Sequence, residues 1–267
     1  MSTHAYGTAL ITGASTGIGA IYADRLARRG HDLILVARNR QRLDELARRL
    51  TDETGRSIQV FPADLGDAAG VAGVEQLLRA DRSISMLVNN AGMGAVSPLL
   101  ESDVARMTQM IELNIGALTR LTYAAVPGFV ERGQGAVINI ASVVAIAPEL
   151  LNGVYGATKA YVLAFTRSLQ HELAAQGIRV QAVLPGATAT EFWADSGKPV
   201  SELPPAIVMT AEAMVDASLA GFDQGEVFTI PALPELGDWA AYEGAREKLL
   251  PQLSRAQPAV RYLRAVE

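Results

Sequence analysis

Cysteine is absent from the 267 residues, which excludes disulfides, thiolate catalysis and cysteine-based metal sites together. Histidine is scarce. His4 lies in the leading tail, His31 just before a strand and His171 alone in a helical pattern. None has a second ligand at metal spacing, so all three read as surface or turn residues and no metal is expected. No apolar run approaches the roughly 18 residues of a membrane span, and no basic segment followed by an apolar one opens the chain. A cytoplasmic protein without a membrane partner is the expectation. The net charge is −5 and no block of like charge stands out, so nucleic acid is a poor partner. Lysine is the remaining scarcity: 20 arginines stand against three lysines, at 159, 198 and 248.

What is present is a 49% hydrophobic content, enough for one large α/β domain with a buried core. Short apolar runs alternate with amphipathic ones. "TALIT", "DLILVA", "SIQVFP", "ISMLVNN", "GAVINIAS", "IRVQAVLP" and "EVFTIP" read as strands, with segments of helical periodicity between them. Such alternation predicts a doubly wound, Rossmann-like parallel sheet of about seven strands with helices on both faces. One domain over 1–267 is expected, with an insertion at about 187–209 marked by Gly197, Pro199, Pro204 and Pro205, and a helical tail at about 232–267. The insertion reads either as a lid over a bound pair or as a rigid surface loop.

"TGASTGIG" directly follows the first strand. A glycine-rich strand-to-helix turn lets backbone approach a pyrophosphate, which then sits on the free N–H groups of the helix. Gly13, Ser15, Thr16, Gly17, Ile18 and Gly19 are therefore candidate dinucleotide-binding residues, although GxxxGxG departs from the commoner GxGxxG and a tight turn alone also favours glycine. The second strand ends in Ala37-Arg38-Asn39-Arg40, without the carboxylate that would take up ribose hydroxyls. Arg38 can instead fork onto a 2′-phosphate, so NADP(H) is expected over a still possible NAD(H); its bland reading is a solvated residue opening a charged helix. Asp64, with Leu65 after it, is placed to reach the adenine, or else to cap the next helix.

"YGATK" puts Tyr155 and Lys159 four residues apart, on one face of a helix, where an ammonium favours phenolate. Asn152 is the expected N-cap, placing Tyr155 in the first helical turn. Among so many arginines, a lysine at 159 suits a compact ammonium that contacts both phenol and ribose. An ordinary packed tyrosine and a surface lysine are the alternative. Ser142 ends a strand, where its hydroxyl can meet a substrate carbonyl or merely serve a turn or cap.

With these pieces in order, joined by "NNAG" at 89–92, "ELNIGAL" around Asn114 and "PGATAT" at 185–190, the chain resembles a classical short-chain dehydrogenase/reductase over nearly its whole length. The resemblance implies a catalytic tetrad of Asn114, Ser142, Tyr155 and Lys159, with Asn114 helping to hold a proton-relay water; without the resemblance Asn114 is only a tolerated polar residue in a helical pattern. It also implies cofactor contacts from Asn90, Ala91, Gly92, Tyr155, Lys159, Pro185, Gly186, Thr188 and Thr190, and a homodimer or homotetramer. The expected reaction interconverts a ketone or aldehyde and an alcohol by hydride transfer, Tyr155 acting as general acid/base. Met93, Gly94, Val143, Val144, Leu150, Leu151, Phe192 and Trp193 flank these motifs as candidate pocket residues, and their apolar character suggests a hydrophobic substrate. Two other readings are a non-catalytic NADP(H)-binding redox sensor, which would not need the Tyr and Lys, and a sugar-nucleotide epimerase or dehydratase, which would need a larger C-terminal region.

Overall fold

The computed structural model describes residues 7–263; His4 and the last residues of the expected tail lie outside them. Strands β1 (Thr8–Thr12), β2 (Asp32–Ala37), β3 (Ile58–Pro62), β4 (Ile84–Asn89), β5 (Gly135–Ile140) and β6 (Ile178–Val183) alternate with helices α1 (Gly17–Arg28), α2 (Arg40–Thr54), α3 (Ala68–Ala80), α4 (Val104–Ile111), α5 (Leu118–Glu131) and α6 (Gly153–Leu173). After β6 come the short strand β7 (Thr188–Ala189), helix α7 (Phe192–Ser196), strand β8 (Met209–Thr210), helix α8 (Ala211–Gln224) and strand β9 (Phe228–Thr229). The sheet runs β3-β2-β1-β4-β5-β6-β9 with every pairing parallel. This is the seven-stranded, doubly wound Rossmann-like fold.

Burial on both faces explains the near-continuous apolar strands. Along β1, Ala9 and Ile11 turn to a core shared with Leu26 of α1, Leu43 of α2 and Leu219 of α8. Leu10 between them turns to the other core, with Val74 of α3, Leu121 of α5 and Leu169 of α6. Local chemistry fixes the ends: the Asn39 side chain caps α2 by accepting from Arg42 N, and Gly55 closes that helix at φ 69°.

Three elements depart from the sequence reading. "EVFTIP" contributes only two residues, because only Phe228 and Thr229 find register partners, Ala182 and Val183. The insertion is not a bare loop but carries α7, two 3₁₀ turns and a β7-β8 ladder. Asn114 lies not in regular α-helix but in a π-helical turn, Glu112–Ala117, joining α4 to α5; such turns recur at functional sites.

The chain divides into two compact units, one ending at Pro231 and one beginning at Ala232. The smaller contains helix α9 (Leu236–Leu249), in which Trp239 and Tyr242 stack at 5.2 Å. No helix among the described residues is long and apolar enough to cross a membrane.

Candidate active site

Strand order reverses between β1 and β4, so the turns after these strands diverge and leave a crevice at the sheet's C-terminal edge, where such folds bind ligands. The first wall is the glycine turn. Gly13 and Gly17 hold φ of 65° and 50°, and a Cβ on Gly19 would stand 2.3 Å from Gly13 O. No side chain larger than hydrogen fits there. Thr16 makes no side-chain cap to α1, whose first turn has no acidic residue, leaving its N–H groups and positive end free for an anion. Ser15, Thr16 and Ile18 line this turn half-buried.

Asn90 braces the turn rather than presenting its amide to a ligand, donating from Nδ2 to Thr12 O at 2.8 Å and Gly13 O at 3.2 Å. Thr12 Oγ1 accepts from Asn90 N and Ala91 N and donates to Val88 O. Sequence reasoning missed Thr12, whose pattern is that of any strand-end threonine. Arg38 is exposed at the end of β2. Asp64 does not cap α3, a role taken by Asp67; its Oδ1 accepts from Gly66 N at 2.9 Å in a local turn. Leu65 buries its side chain in the α3/α5/α6 core.

The second wall holds the candidate catalytic residues. Asn152 caps α6 by accepting from Val154 N and Tyr155 N, and its amide donates to Ser97 O at 2.7 Å. Tyr155 thereby sits in the first turn, buried, its hydroxyl close enough to Ser142 for that side chain to favour phenolate. Ser142 serves as both cap and site: its hydroxyl accepts from Val144 N and donates to Pro185 O, each at 3.3 Å. Lys159 is buried, 5.8 Å from the Tyr155 ring centre, and donates to Ile140 O at 2.8 Å.

The expected electrostatic balance is reversed in the free protein. Burial pushes the Tyr155 phenol up to about 12, with Ser142 pulling weakly the other way, and burial lowers Lys159 to about 8. Desolvation penalises both charged forms. Neither shift owes anything to the other group, and the ammonium donates to a backbone carbonyl instead. Asn114 is also committed elsewhere: Oδ1 accepts from Met93 N, and Nδ2 donates to Met93 O at 2.9 Å and to Thr158 Oγ1 at 3.1 Å. Gly92 packs between Asn114 and Lys159, where a Cβ would lie 3.1 Å from Asn114 Oδ1 and 3.7 Å from Lys159 Nζ.

Of the pocket candidates, Met93, Val144, Leu151 and Phe192 cluster with Ala95, Met107, Met110 and Tyr155. Phe192 lies 5.7 Å from the Tyr155 ring, over Gly94, where a Cβ would meet Phe192 Cζ at 2.2 Å. Two candidates lie elsewhere. Trp193 is buried as an anchor, its indole N–H donating to Thr188 O at 2.9 Å, and Leu150 is 62% exposed. Val143 is half-buried and tied through its N–H to Pro185 O, next to Gly186. Thr188 Oγ1 donates to Gly186 O, and Thr190 packs against Gly17. His31 is not a surface residue; it is buried with Nδ1 2.9 Å from Gly7 O, and burial lowers its pKa.

The short chain dehydrogenase family profile matches residues 7–200. A short-chain dehydrogenase from Sphingobium yanoikuyae, solved in complex with NADPH, is 50% identical, with 96% of this chain and 100% of that one covered at a TM-score of 0.93. A bulky-bulky ketone specific alcohol dehydrogenase from Comamonas testosteroni is 45% identical, covering 97% and 100% at 0.90. Sulfoacetaldehyde reductase 2 from Chromohalobacter salexigens is 40% identical over 68% of this chain and 73% of its own length. A very-long-chain 3-oxoacyl-CoA reductase from Anas platyrhynchos, 36% identical, is matched over only 60% of its length. The chain belongs to the short-chain dehydrogenase family. Oxidoreductase chemistry with a nicotinamide cofactor comes with that family, and the side-chain-free cradle at Gly13, Gly17 and Gly19 fits such a dinucleotide.

Proposed function

We propose that the protein is an NADP(H)-dependent carbonyl reductase or alcohol dehydrogenase acting on a hydrophobic ketone, aldehyde or secondary alcohol. The observation that carries this reading is the buried Tyr155 beside buried Ser142 and Lys159, on the crevice that the glycine turn opens. Arg38, with no acidic residue at the end of β2, and the NADPH complex of the 50% identical relative favour a 2′-phosphorylated cofactor. The apolar cluster around Tyr155 favours a hydrophobic substrate. A homodimer or homotetramer and a cytoplasmic setting accompany the reading.

The bound dinucleotide supplies or accepts hydride at the substrate carbon. Ser142 donates a hydrogen bond to the carbonyl oxygen once it releases Pro185 O, and polarises it. Tyr155 then delivers its proton to the oxygen as charge develops there. With a pKa pushed up to about 12, the phenol carries its proton at neutral pH, and its strength as an acid depends on how far the buried phenolate is stabilised when cofactor and substrate are in place. In the alcohol-oxidising direction it must first lose that proton, so oxidation should gain more than reduction from a rise in pH. Lys159, one of whose protons is held on Ile140 O, stabilises the phenolate and returns a proton to it. Asn114 positions Met93 by clamping both its backbone groups.

Absorbance at 340 nm, followed with NADPH or NADH against aliphatic, aromatic and cyclic carbonyls, tests the reading. Turnover that prefers NADPH and falls by about 10²-fold or more in Tyr155→Phe is expected. Tight NADPH binding without turnover in either direction would favour a redox sensor instead.

A further inference from the structure

Three consecutive residues of the insertion touch three different parts of the crevice. Thr190 packs on the glycine turn, its Cγ2 3.1 Å from where a Gly17 Cβ would stand. Glu191 Oε2 accepts from Arg42 Nη1 at 2.8 Å, reaching the first turn of α2 just beyond Arg38. Phe192 lies against Tyr155. The topology makes this contact unusual. The insertion leaves the sheet after β6, whereas Arg42 follows β2, and β5, β4 and β1 lie between those strands. To make the Glu191–Arg42 pair, the chain crosses the crevice in which the dinucleotide fits.

Downstream the insertion is fastened. Trp193 donates to Thr188 O, Val96 N to Ser196 O, and Arg106 to Asp195 O. On the α2 side, among the described residues, the insertion is held by an ion pair between half-exposed Arg42 and mostly exposed Glu191. Arg42 holds Glu191 through one Nη1–H, and a phosphate that turns the planar fork onto itself moves that donor away. Arg42 therefore has two possible acidic partners, one within the chain and one on a 2′-phosphorylated ligand.

Resting on the NADP(H) reading, we propose that Glu191 is an internal competitor of the cofactor's 2′-phosphate for Arg42. Binding a 2′-phosphorylated nucleotide, and not an unphosphorylated one, then frees Thr190–Phe192 and withdraws Phe192 from Tyr155. Glu191 is thus a specificity-determining residue for the cofactor, and it links occupancy of the adenosine end to access at the catalytic tyrosine.

The test needs no turnover. In a Trp239→Phe protein, Trp193 is the sole tryptophan, and its ring meets Phe192 edge-on at 5.9 Å. Adenosine 2′,5′-bisphosphate is expected to change Trp193 emission, and adenosine 5′-monophosphate at equal occupancy is not. Glu191→Gln should tighten the bisphosphate about two- to fivefold, the range of an exposed ion pair, leave the monophosphate unchanged, and bring the free protein's emission toward the bound one. Asp195→Asn, which neutralises a neighbouring carboxylate, should do none of these. The inference is overturned if Glu191→Gln leaves bisphosphate affinity unchanged, if it shifts both nucleotides equally, or if both change the emission alike. If the wild type binds the two nucleotides with equal affinity, the 2′-phosphate reading itself falls and takes this inference with it.

Discussion

Replacing Lys159 with methionine should make the protein more stable at neutral pH while removing its activity. Lys159 is buried, and burial takes its pKa from 10.5 to about 8. Between those values the unfolded chain binds more protons than the folded one, so stability rises with pH across that window. Below about pH 8 both states are protonated, and the folded protein carries the full cost of an ammonium in a dry site, about 3 kcal/mol at 1.36 kcal/mol per pH unit. Methionine removes that cost but leaves Ile140 O without its 2.8 Å donor, a loss of about 1 kcal/mol. The net gain at pH 7 is therefore about 2 kcal/mol. Urea unfolding from pH 7 to 10.5 reads it directly. The variant should be the more stable at pH 7, the curves should converge above pH 8, and near pH 10 the wild type should lead, because a neutral amine still donates to Ile140. Tyr155 titrates at higher pH in both proteins and largely cancels in the difference. A difference that stays flat with pH, or a variant less stable at pH 7, would refute the idea that Lys159 is held at a cost.

Gly94→Ala should displace Phe192, whose Cζ lies 2.2 Å from the new Cβ position, and so change kcat/KM for carbonyls with two large substituents more than for small ones; an unchanged ratio would mean that the ring does not bound the substrate space. Gly19→Ala puts its methyl 2.3 Å from Gly13 O and 2.5 Å from Asn90 Nδ2, so NADPH affinity measured by fluorescence titration should fall at least tenfold, or about 1.4 kcal/mol. Asn152→Ala removes the α6 cap and the donor to Ser97 O; about 1–2 kcal/mol of stability should go, lowering Tm by roughly 2–4 °C per kcal/mol in a chain of this size, with kcat falling alongside as Tyr155 loses its fixed turn.

Much of the frame is legible in the sequence because it rests on short-range periodicity. β1 and β2 end where "TALIT" and "DLILVA" end, since a strand buried on both faces can hold few polar residues without losing its place in the sheet. The Asn152 cap and the shared face of Tyr155 and Lys159 follow from helix geometry in the same way. The π-turn at Asn114 is not legible, because its single-residue phase shift falls at the short α4 and merges with the apolar pattern of α5. Trp193 resembles a pocket residue until its partner, the Thr188 carbonyl, is seen, and no side-chain pattern marks a carbonyl. Gly94 shows nothing in sequence of the aromatic ring that its missing side chain admits.

The reversed balance between Tyr155 and Lys159 has the same origin. Spacing along α6 brings the two groups near each other, but charge stabilisation depends on how much water remains and on which hydrogen bonds compete, and both are set by distant residues. β5 supplies the Ile140 carbonyl that holds the ammonium, and α7 supplies the ring that covers the phenol. The covering ring sits beside Glu191, which reaches across to Arg42. A phenol that burial holds near 12 keeps its proton and is a weak acid while the ring covers it. Anything that lifts the cover lets water in and lowers the desolvation cost of phenolate, so displacing that one ring is expected to open the site and strengthen the acid together.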